Sequence, residues 1–366
     1  MIGLAQVIER FEPQLQAQYS DQLLPGHKRA LGAMKRCRTS ASRQMQVYCR
    51  DCDHSTLIPH SCGHRLCPHC QNHESQRWLE RQLQKQVPCE YFPVTFTVPR
   101  ELRALAFSHQ RLFYAALMES AWATINTFAG NDKELQGTAG AIAVLHTQNR
   151  RLDYHPHVHL VVPGAAINRK EKRWRSRAKS GYLFSSKALA TVFRGKLLAS
   201  LSQQHLVKSE TTPRNWVVDC RAVGRGEKAL TYLGRYLYRG VIREKDIVSI
   251  SEDKVTYRYT RNNGRTCLRT VGGARFLWMV LKHTLPRGFR RARNYGFLHP
   301  NSKRLIRVVQ IILLHTGLLG PMPCSPRAGV RCTQCGGVMA IVAVGVEQRH
   351  WPTDTEPGDT RRTLAM

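Results

Sequence analysis

The segment Tyr154-His155-Pro156-His157-Val158-His159 carries the residue types with the most evident chemistry in this sequence. On a β-strand His157 and His159 are two positions apart, so both side chains point to the same face of a sheet. Two imidazoles on one rigid strand could bind a divalent metal ion and leave coordination positions open for substrate oxygens. Pro156 places His155 at the start of the strand, outside this pair. Taken alone, such a histidine triplet also fits a structural role.

A second candidate is the run Thr231-Tyr232-Leu233-Gly234-Arg235-Tyr236, which has helical spacing. Tyr232 and Tyr236 are four residues apart and therefore share one helical face. A phenol with a pKa of about 10 is a poor nucleophile. Beside a metal-bound phosphodiester, and with Arg235 or Lys228 close by, it could attack phosphorus, hold the 5′ phosphate and release a 3′ hydroxyl. The alternative is that both rings pack in the core.

Cysteines form the next cluster, since six of the twelve fall within the first 70 residues. Cys49-x2-Cys52 and Cys67-x2-Cys70 are separated by 14 residues. Two such pairs predict one closed, tetrahedral zinc site of four thiolates. Cys62 is a further candidate zinc ligand, and a second zinc ion or an alternative ligand set stays open. The other side chains within reach along the chain are Cys37, His54, His60, His64, His69 and His73.

A further pair, Cys332-x2-Cys335, precedes two glycines near the C-terminus. Cys324 is the only other cysteine in that part of the sequence, so no second pair is evident there. We therefore expect this pair to stand alone rather than to complete a zinc site.

Charge points to a polyanionic partner. Lysine and arginine number 56 against 25 acidic residues, a formal net charge of +31 spread through the chain, and nucleic acid is the usual partner for such a protein. The candidate DNA-binding residues are Arg235 and a basic run around one tryptophan that could stack on a base: Lys170, Lys172, Arg173, Trp174 and Arg175. A solvated basic loop is the alternative for this run.

The 366 residues suffice for two or three domains. They contain neither an apolar stretch of membrane-spanning length nor the pattern of a secretory signal at the start, so we expect a cytoplasmic protein. In that reducing compartment, clustered cysteines indicate metal ligands rather than disulfides.

Apolar periodicity predicts the elements that must position these residues. Helical spacing covers the N-terminal segment to residue 36, and then 75–87, 101–128, 186–203, 227–239 and 273–283. Alternating or β-branched segments predict strands at 92–99, 141–146, 157–162, 216–220, 246–251, 255–260 and 266–271. The second and third of these strands are joined by a polar run that suits a hairpin.

Several motifs occur in one order along the chain. They are Ser61-Cys62 with Cys67-Pro68-His69-Cys70, the histidine segment continued to Gly164, Val192-Phe193-Arg194-Gly195-Lys196, Trp216-Val217-Val218, the tyrosine helix, and Arg293-Asn294-Tyr295-Gly296-Phe297-Leu298. In this set and order the chain resembles the rolling-circle, two-tyrosine insertion-sequence transposases of the IS91 family. The resemblance runs over roughly residues 30 to 300. That family usually carries Arg-His directly before the second cysteine pair, where this chain has His64-Arg65-Leu66.

The resemblance implies an α+β HUH endonuclease fold, an antiparallel sheet flanked by helices, preceded by a small module that holds a structural Zn²⁺. It implies that His157 and His159 bind a catalytic Mg²⁺ or Mn²⁺ and that Tyr232 and Tyr236 are the nucleophiles. A third metal ligand is expected on the strand beside the histidine strand, and His146 is preferred there over Gln148. The implied substrates are single-stranded DNA at transposon ends and target DNA. Such a protein would associate with the bacterial nucleoid when bound to DNA.

We divide the sequence into an N-terminal helix and zinc-binding domain (1–90), an HUH tyrosine nuclease domain (91–300), a C-terminal region with the isolated cysteine pair (301–345) and a tail expected to be disordered (346–366). Two alternatives to a transposase stay open. One is a replication initiator or relaxase with the same chemistry, and the zinc module ahead of the nuclease favours the transposase over it. The other is a non-enzymatic, zinc-dependent DNA-binding protein.

Overall fold

The computed structural model describes residues 2–346 except 71, 169, 172, 178–180, 207–211, 225, 238–239, 262 and 316–328. Its helices are α1 (Leu4–Tyr19), α2 (Pro25–Arg36), α3 (Asn72–Leu83), α4 (Arg103–Ser108), α5 (Gln110–Asn131), α6 (Ser186–Gln203), α7 (Glu227–Leu237), α8 (Gly273–Leu281) and α9 (Lys303–His315). Its strands are β1 (Gln44–Cys49), β2 (Ser55–Pro59), β3 (Tyr91–Thr97), β4 (Thr138–Gln148), β5 (Tyr154–Pro163), β6 (Ala165–Asn168), β7 (Arg173–Ser176), β8 (Val218–Cys220), β9 (Ile247–Ile250), β10 (Lys254–Thr260), β11 (Thr266–Gly272), β12 (Ala292–Gly296), β13 (Val330–Arg331) and β14 (Val338–Val346).

By its internal contacts the chain divides into two compact units. The larger comprises residues 1–35 and 63–327, and the smaller comprises 36–62 together with the C-terminal segment that starts at 328. This division differs from the predicted one, because the cysteine-rich segment is split between the units and its first part pairs with C-terminal strands. Most of the predicted tail, 347–366, lies outside the described residues.

A seven-stranded sheet forms the centre of the larger unit. Its order is β7-β6-β4-β5-β3-β8, and β12 pairs with β4. Every pairing in it is antiparallel. Helices cover the sheet, so the predicted α+β architecture of an antiparallel sheet flanked by helices is confirmed.

The two faces of this sheet bury different sets of side chains, because successive residues of a strand point to opposite sides. One face buries Phe92, Val94 and Phe96 of β3 in a cluster with residues of α5 and α6. The other buries Ile142 of β4 and Val161 of β5 in a second cluster with residues of α3, α7 and α9. Each large apolar side chain buried in this way contributes about 1.5–3 kcal/mol.

A second sheet in the larger unit has the order β11-β10-β9. Helix α8 follows β11 directly and packs against α1. The helical spacing predicted for α1 is confirmed, since Leu4, Val7, Ile8 and Phe11 are all buried.

The smaller unit contains a four-stranded antiparallel sheet of order β13-β14-β1-β2. The central pair joins β1 to β14, so segments from opposite parts of the sequence share this sheet. In both units together, no helix among the described residues is long and apolar enough to cross a membrane.

Most predicted elements correspond to observed ones within a few residues. The long helix predicted over 101–128 is divided at His109, whose φ of −121° and ψ of 43° leave the helical region. Among the described elements, sequence periodicity missed the short strands β1, β2, β6, β7, β12 and β13, the longer β14, and helix α9. The short strands carry too few residues for a period of two to be visible.

Gly296, the last residue of β12, is a position where glycine is required. Its φ is +59°, and a Cβ would lie 1.8 Å from the Ala139 carbonyl oxygen. We expect Gly296→Ala to lower the free energy of unfolding by roughly 3 kcal/mol or more, because the αL strain adds to a backbone clash. Urea unfolding of the purified protein measures this change.

Gly288 is the matched control, since its φ is +75° and a Cβ there would meet nothing within 4 Å. Gly288→Ala is expected to cost only about 1 kcal/mol, the strain of the left-handed backbone alone. Equal losses of unfolding free energy in the two variants would show that the close packing of β12 on β4 contributes nothing to stability.

Candidate metal centre and nucleic-acid cleft

Three histidines converge on one face of the central sheet. In the antiparallel pair β4–β5, His146 lies opposite His157, and His159 follows two residues along β5. One ring nitrogen of each lies within 4.8 Å of the others. The pairing therefore brings together the two histidines predicted as metal ligands and the preferred third candidate. Gln148, the alternative, lies beyond an irregularity in the β4–β5 register.

Hydrogen bonds orient two of these imidazoles. His157 Nδ1 is 2.7 Å from the His155 carbonyl oxygen, which can only accept, so Nδ1 carries the proton. In the neutral ring this leaves the Nε2 lone pair available to a metal ion. His159 Nδ1 shares a hydrogen bond of 3.0 Å with the Thr95 hydroxyl on β3. Partners of this kind fix the orientation of metal-binding histidines.

Burial keeps all three rings neutral. It is the main cause that lowers the pKa of His159 to about 3 and the pKa of His157 below its usual value. The pKa of His146 is also lowered well below its usual value, by burial first and then by the neighbouring His159 and His157. Only the neutral imidazole offers a lone pair to a metal ion, so at neutral pH no proton competes with the ion here.

His155 lies outside the triad, at the start of β5 as expected from Pro156. Burial, followed by the effects of His157 and Arg103, lowers its pKa to about 4. Its structural contribution is the backbone carbonyl that orients His157.

The turn that joins β4 to β5 is held in place by groups from two directions. Within the turn, the Asn149 side-chain oxygen accepts a hydrogen bond of 2.9 Å from the backbone N–H of Asp153. From outside, the buried ring of His283 contacts the Thr147 hydroxyl at 3.1 Å and the Leu152 carbonyl at 3.3 Å. His283 therefore links the segment after α8 to the strands that carry the triad. His283 lies in no distinguishing sequence motif, and its role was not predicted.

The sheet β9–β11 is attached to the same turn. The Tyr257 hydroxyl donates to the Arg151 carbonyl at 2.8 Å, and Arg269 donates to that oxygen at 2.7 Å. Arg269 also pairs with the Asp153 carboxylate at 2.8 Å. These contacts place one side of the three-stranded sheet beside the triad.

A cleft of about 1470 Å³ opens at the three histidines. The strands β3, β4 and β5, the sheet β9–β11 and residues 240–246 line it. Seven of its lining side chains are basic: Arg150, Arg151, Arg243, Lys245, Arg258, Arg261 and Arg291. Among the described residues of the lining, one carboxylate opposes them, that of Asp246, and it is paired with Arg243. Such a charge balance suits a phosphodiester backbone.

Helix α7, which carries the candidate nucleophiles, packs on the face of the sheet that holds the triad. Ala229, Leu230 and Leu233 are buried in the cluster with sheet residues of that face. Gly226, directly before the helix, lies against the ring of Tyr91, at the far end of β3 from Thr95. Residues 240–243, which follow the helix, line the cleft. The helix therefore runs toward the cleft.

Tyr232, Arg235 and Tyr236 all lie within the bounds of α7. Their side chains fall outside the described residues, as does Lys172 of the predicted basic run. For Tyr232 and Tyr236 the structure therefore gives the position of the helix that carries them.

The basic run from Lys170 to Arg175 is not brought to the triad. Its strand β7 pairs with β6, which pairs with the first residues of β4. That end of β4 is eight positions from His146, or about 26 Å at 3.3 Å per residue.

Side chains of the basic run differ in what they contact. Lys170 and Arg173 are exposed. Trp174 is partly buried and packs edge-on against Phe297, with ring centroids 5.5 Å apart. Arg175 pairs with Glu171 at 3.1 Å. The DNA-binding role of this run stays a prediction, and the cleft supplies basic residues that the sequence did not single out.

The cysteines are grouped differently from the prediction. Cys49 and Cys52 lie together with Cys332 and Cys335, four thiols within 4.8 Å of one another in the smaller unit. The structure therefore groups Cys49 and Cys52 with the C-terminal pair rather than with Cys67 and Cys70, and the C-terminal pair does not stand alone as expected. The physical reason is the pairing of β1 with β14, which a local reading of spacing could not detect.

Cys67 and Cys70 lie in the larger unit, where both are buried and their sulfur atoms are within 4.8 Å of each other. His69, between them, contacts the Glu244 carboxylate through Nε2 at 2.9 Å. That carboxylate also accepts from the backbone N–H of Leu4 at 2.7 Å. The Nε2 of His69 is thus engaged with an acid rather than turned to the thiols.

Comparisons with known proteins agree with this picture. Residues 7–98 match the family described as "Transposase zinc-binding domain", and residues 140–305 match the family described as "Putative transposase". The histidine triad and α7 fall inside the second match, whereas Cys332 and Cys335 fall outside both.

Two relatives cover most of the chain. The "Putative transposase y4qJ" of Sinorhizobium fredii (strain NBRC 101917 / NGR234) is 31% identical over 319 residues, which are 81% of this chain and 80% of the relative. The "Transposase for insertion sequence element IS801" of Pseudomonas savastanoi pv. phaseolicola is 25% identical over 343 residues, 85% and 82% of the two chains.

Thr95 is a further site residue that the sequence did not identify: alternation along β3 places it on the face opposite Val94 and Phe96, and the observed register sets it opposite His159. Thr95→Val removes the hydroxyl that contacts His159 and keeps the shape of the side chain. We expect affinity for Mn²⁺, measured by titration calorimetry, to fall roughly 10–100-fold.

The matched control is Thr97→Val, on the same face of β3 and opposite His157. His157 is oriented by a backbone carbonyl, so this variant should bind Mn²⁺ like the wild type. An equal loss in both variants would contradict an orienting role for Thr95.

Proposed function

Because the chain belongs to the IS91 family of transposases, we propose that it cleaves and rejoins single strands of DNA through a bond between tyrosine and the 5′ phosphate, as rolling-circle transposition requires. The observation that carries this proposal is the triad of neutral imidazoles in a basic cleft, on the face of the sheet where α7 packs. Membership in the family alone supports DNA cleavage without specifying its chemistry.

The triad suits a divalent ion. Three buried, neutral imidazoles supply three ligands, and the lone pair of His157 Nε2 is free of its own hydrogen bond because Nδ1 is the donor. We assign His146, His157 and His159 to Mg²⁺ or Mn²⁺. When bound, such an ion would polarise the scissile phosphate and stabilise the charge that develops on its oxygens.

The nucleophile is assigned to Tyr232 or Tyr236 on α7. The phenol oxygen bonds to phosphorus, the bond from phosphorus to the 3′ oxygen breaks, and the phenol proton passes in net to the released 3′ hydroxyl. The phosphotyrosine retains the energy of the cleaved bond, so a 3′ hydroxyl can reverse the step without ATP. Two tyrosines four residues apart could alternate, one holding an end while the other cleaves.

The path of the DNA strand is assigned to the basic cleft. Its arginines and lysines come from the β4–β5 turn, the sheet β9–β11 and the segment after α7, so they surround the triad from several sides. The half-buried Tyr259 also lines the cleft, and an aromatic ring among basic residues is typical of single-strand binding. We assign the ends of the mobile element and its target DNA to this path.

A structural Zn²⁺ is assigned to the cysteine pair Cys67–Cys70 of the larger unit. Family membership supports a zinc-binding domain over residues 7–98. A zinc ion held by thiolates in this domain is assigned a contribution to the fold rather than to the reaction.

Covalent trapping tests the chemistry. Labelled single-stranded oligonucleotides that tile both ends of the element are incubated with protein and Mn²⁺, and adducts are resolved by denaturing electrophoresis. We expect a covalent adduct with the wild type, none with His157→Ala, and none with the double variant Tyr232→Phe/Tyr236→Phe.

Tyr182→Phe is the matched control, because Tyr182 is an exposed tyrosine of the larger unit, with 56% of its surface accessible, and belongs neither to α7 nor to the residues that line the cleft. It should form adducts as the wild type does. If the wild type forms no adduct on any end sequence, the proposed chemistry fails. If the double variant still forms one, the nucleophile lies elsewhere.

Salt dependence tests the path of the strand. Lys245 and Arg258 are exposed side chains that line the cleft. Each phosphate contact contributes about 0.7 to the slope of log K against log salt for a single strand. The double variant Lys245→Ala/Arg258→Ala should therefore reduce that slope by about 1.4, measured by fluorescence anisotropy with an oligonucleotide.

Lys133→Ala/Lys187→Ala is the charge-matched control, since both lysines are exposed and neither lines the cleft. Its slope should equal that of the wild type. Equal reductions in the two double variants would show diffuse attraction rather than a defined path.

A further inference from the structure

Two short loops in the smaller unit have the same construction. In the first, Cys49-x2-Cys52 is followed by Asp53 with a φ of +55°, and in the second Cys332-x2-Cys335 is followed by Gly336 with a φ of +75°. The backbone N–H of Cys49 donates to the carbonyl five residues later at 2.8 Å, and that of Cys332 does the same at 2.8 Å. Repeated geometry of this kind indicates two zinc knuckles.

Each knuckle closes a β-hairpin. The first joins β1 to β2, and the second joins β13 to β14. The hairpins share one sheet because β1 pairs with β14, and Cys49 lies opposite Met339 in that register. Pairing places both knuckles at the same end of the sheet.

The knuckles approach each other closely. A Cβ on Gly337 would lie 2.1 Å from a carboxylate oxygen of Asp51 and 3.2 Å from the sulfur of Cys335, so the second knuckle packs directly against the first. The sulfur atoms are 3.4 Å apart for Cys49 and Cys335 and 3.6 Å apart for Cys52 and Cys332.

These separations match a shared ion better than disulfides. A disulfide requires about 2.05 Å between sulfur atoms. Four thiolates at zinc bond lengths of about 2.3 Å in a tetrahedron lie about 3.8 Å apart. The thiols of the smaller unit are thus arranged as zinc ligands.

The apolar core of the smaller unit is small. Its buried cluster contains Val47, Cys49, Cys332 and Met339, so half of its members are cysteines of the knuckles. A core of this size does not usually hold a small fold by itself, and metal ligation is one of the usual supplements.

We propose that Cys49, Cys52, Cys332 and Cys335 hold a structural zinc ion that closes a zinc ribbon built from two hairpins distant in sequence. Two of the four ligands lie outside the matched zinc-binding family, which ends at residue 98. The C-terminal hairpin is therefore part of the zinc-binding architecture, and loss of the C-terminus removes half of this site. This inference does not depend on the tyrosine chemistry.

Metal analysis of the full-length chain tests the shared site. Zinc per chain is measured by plasma mass spectrometry for the wild type, Cys49→Ser, Cys332→Ser and the double variant. We expect each single variant to lose one equivalent relative to the wild type, and the double variant to lose no more than either, because both cysteines hold one ion. Cys267→Ser, outside the cysteine clusters among the described residues, should retain the wild-type content. Unchanged zinc in Cys332→Ser, or a loss of two equivalents in the double variant, would overturn the proposal.

A measurement on the wild type keeps the test valid if a variant misfolds. Cys52 and Cys335 are exposed, so as free thiols both would react with iodoacetamide. We expect mass spectrometry to show both protected before a chelator is added and alkylated together afterwards. Alkylation of Cys335 while zinc remains bound at full content would contradict the assignment.

Discussion

The register of the β4–β5 hairpin is the constraint on which the candidate site depends. Side chains of a strand alternate between faces, so a shift of one residue would turn His157 and His159 into the core on the α5–α6 side. The native register instead sets His146 opposite His157 and leaves Val158 and Leu160 to be buried. Apolar burial on one face therefore fixes the position of the imidazoles on the other.

Other elements reinforce this hairpin at its turn. His283 reaches it from the end of α8, and Arg269 and Tyr257 reach it from the sheet β9–β11. Loops are usually the most mobile part of a hairpin, whereas metal ligands must hold their positions closely. Tying the turn to two further elements restricts both strands that carry the ligands, and it also brings the basic residues of β9–β11 to the cleft.

Sequence patterns predicted what depends on local order. The period-two alternation of β5 identified the histidine pair, and helical spacing located α6, α7 and α8 close to their observed bounds. Contacts between distant residues were not accessible in this way. Cys52 and Cys332 are 280 positions apart. No local pattern links the pair Cys49–Cys52 to the C-terminal pair, so spacing alone favoured the nearer pair, Cys67–Cys70, as its partner. Thr95 and His283 were missed for the same reason, since only the sheet register and the packing of α8 reveal their contacts.

The positive charge of the site has two effects that act together. Burial is the main reason that the pKa values of His146 and His157 are low, but nearby arginines add to it: Arg291 lowers the pKa of His146, and Arg103 lowers that of His157. A cationic surrounding that attracts phosphate thus also disfavours protonation of the imidazoles. An acidic cleft would raise those pKa values, because carboxylates stabilise the protonated ring, and would repel the substrate as well. Arg291, which also lines the cleft, therefore favours both the neutral ligands that a metal ion requires and the approach of the strand on which the ion would act.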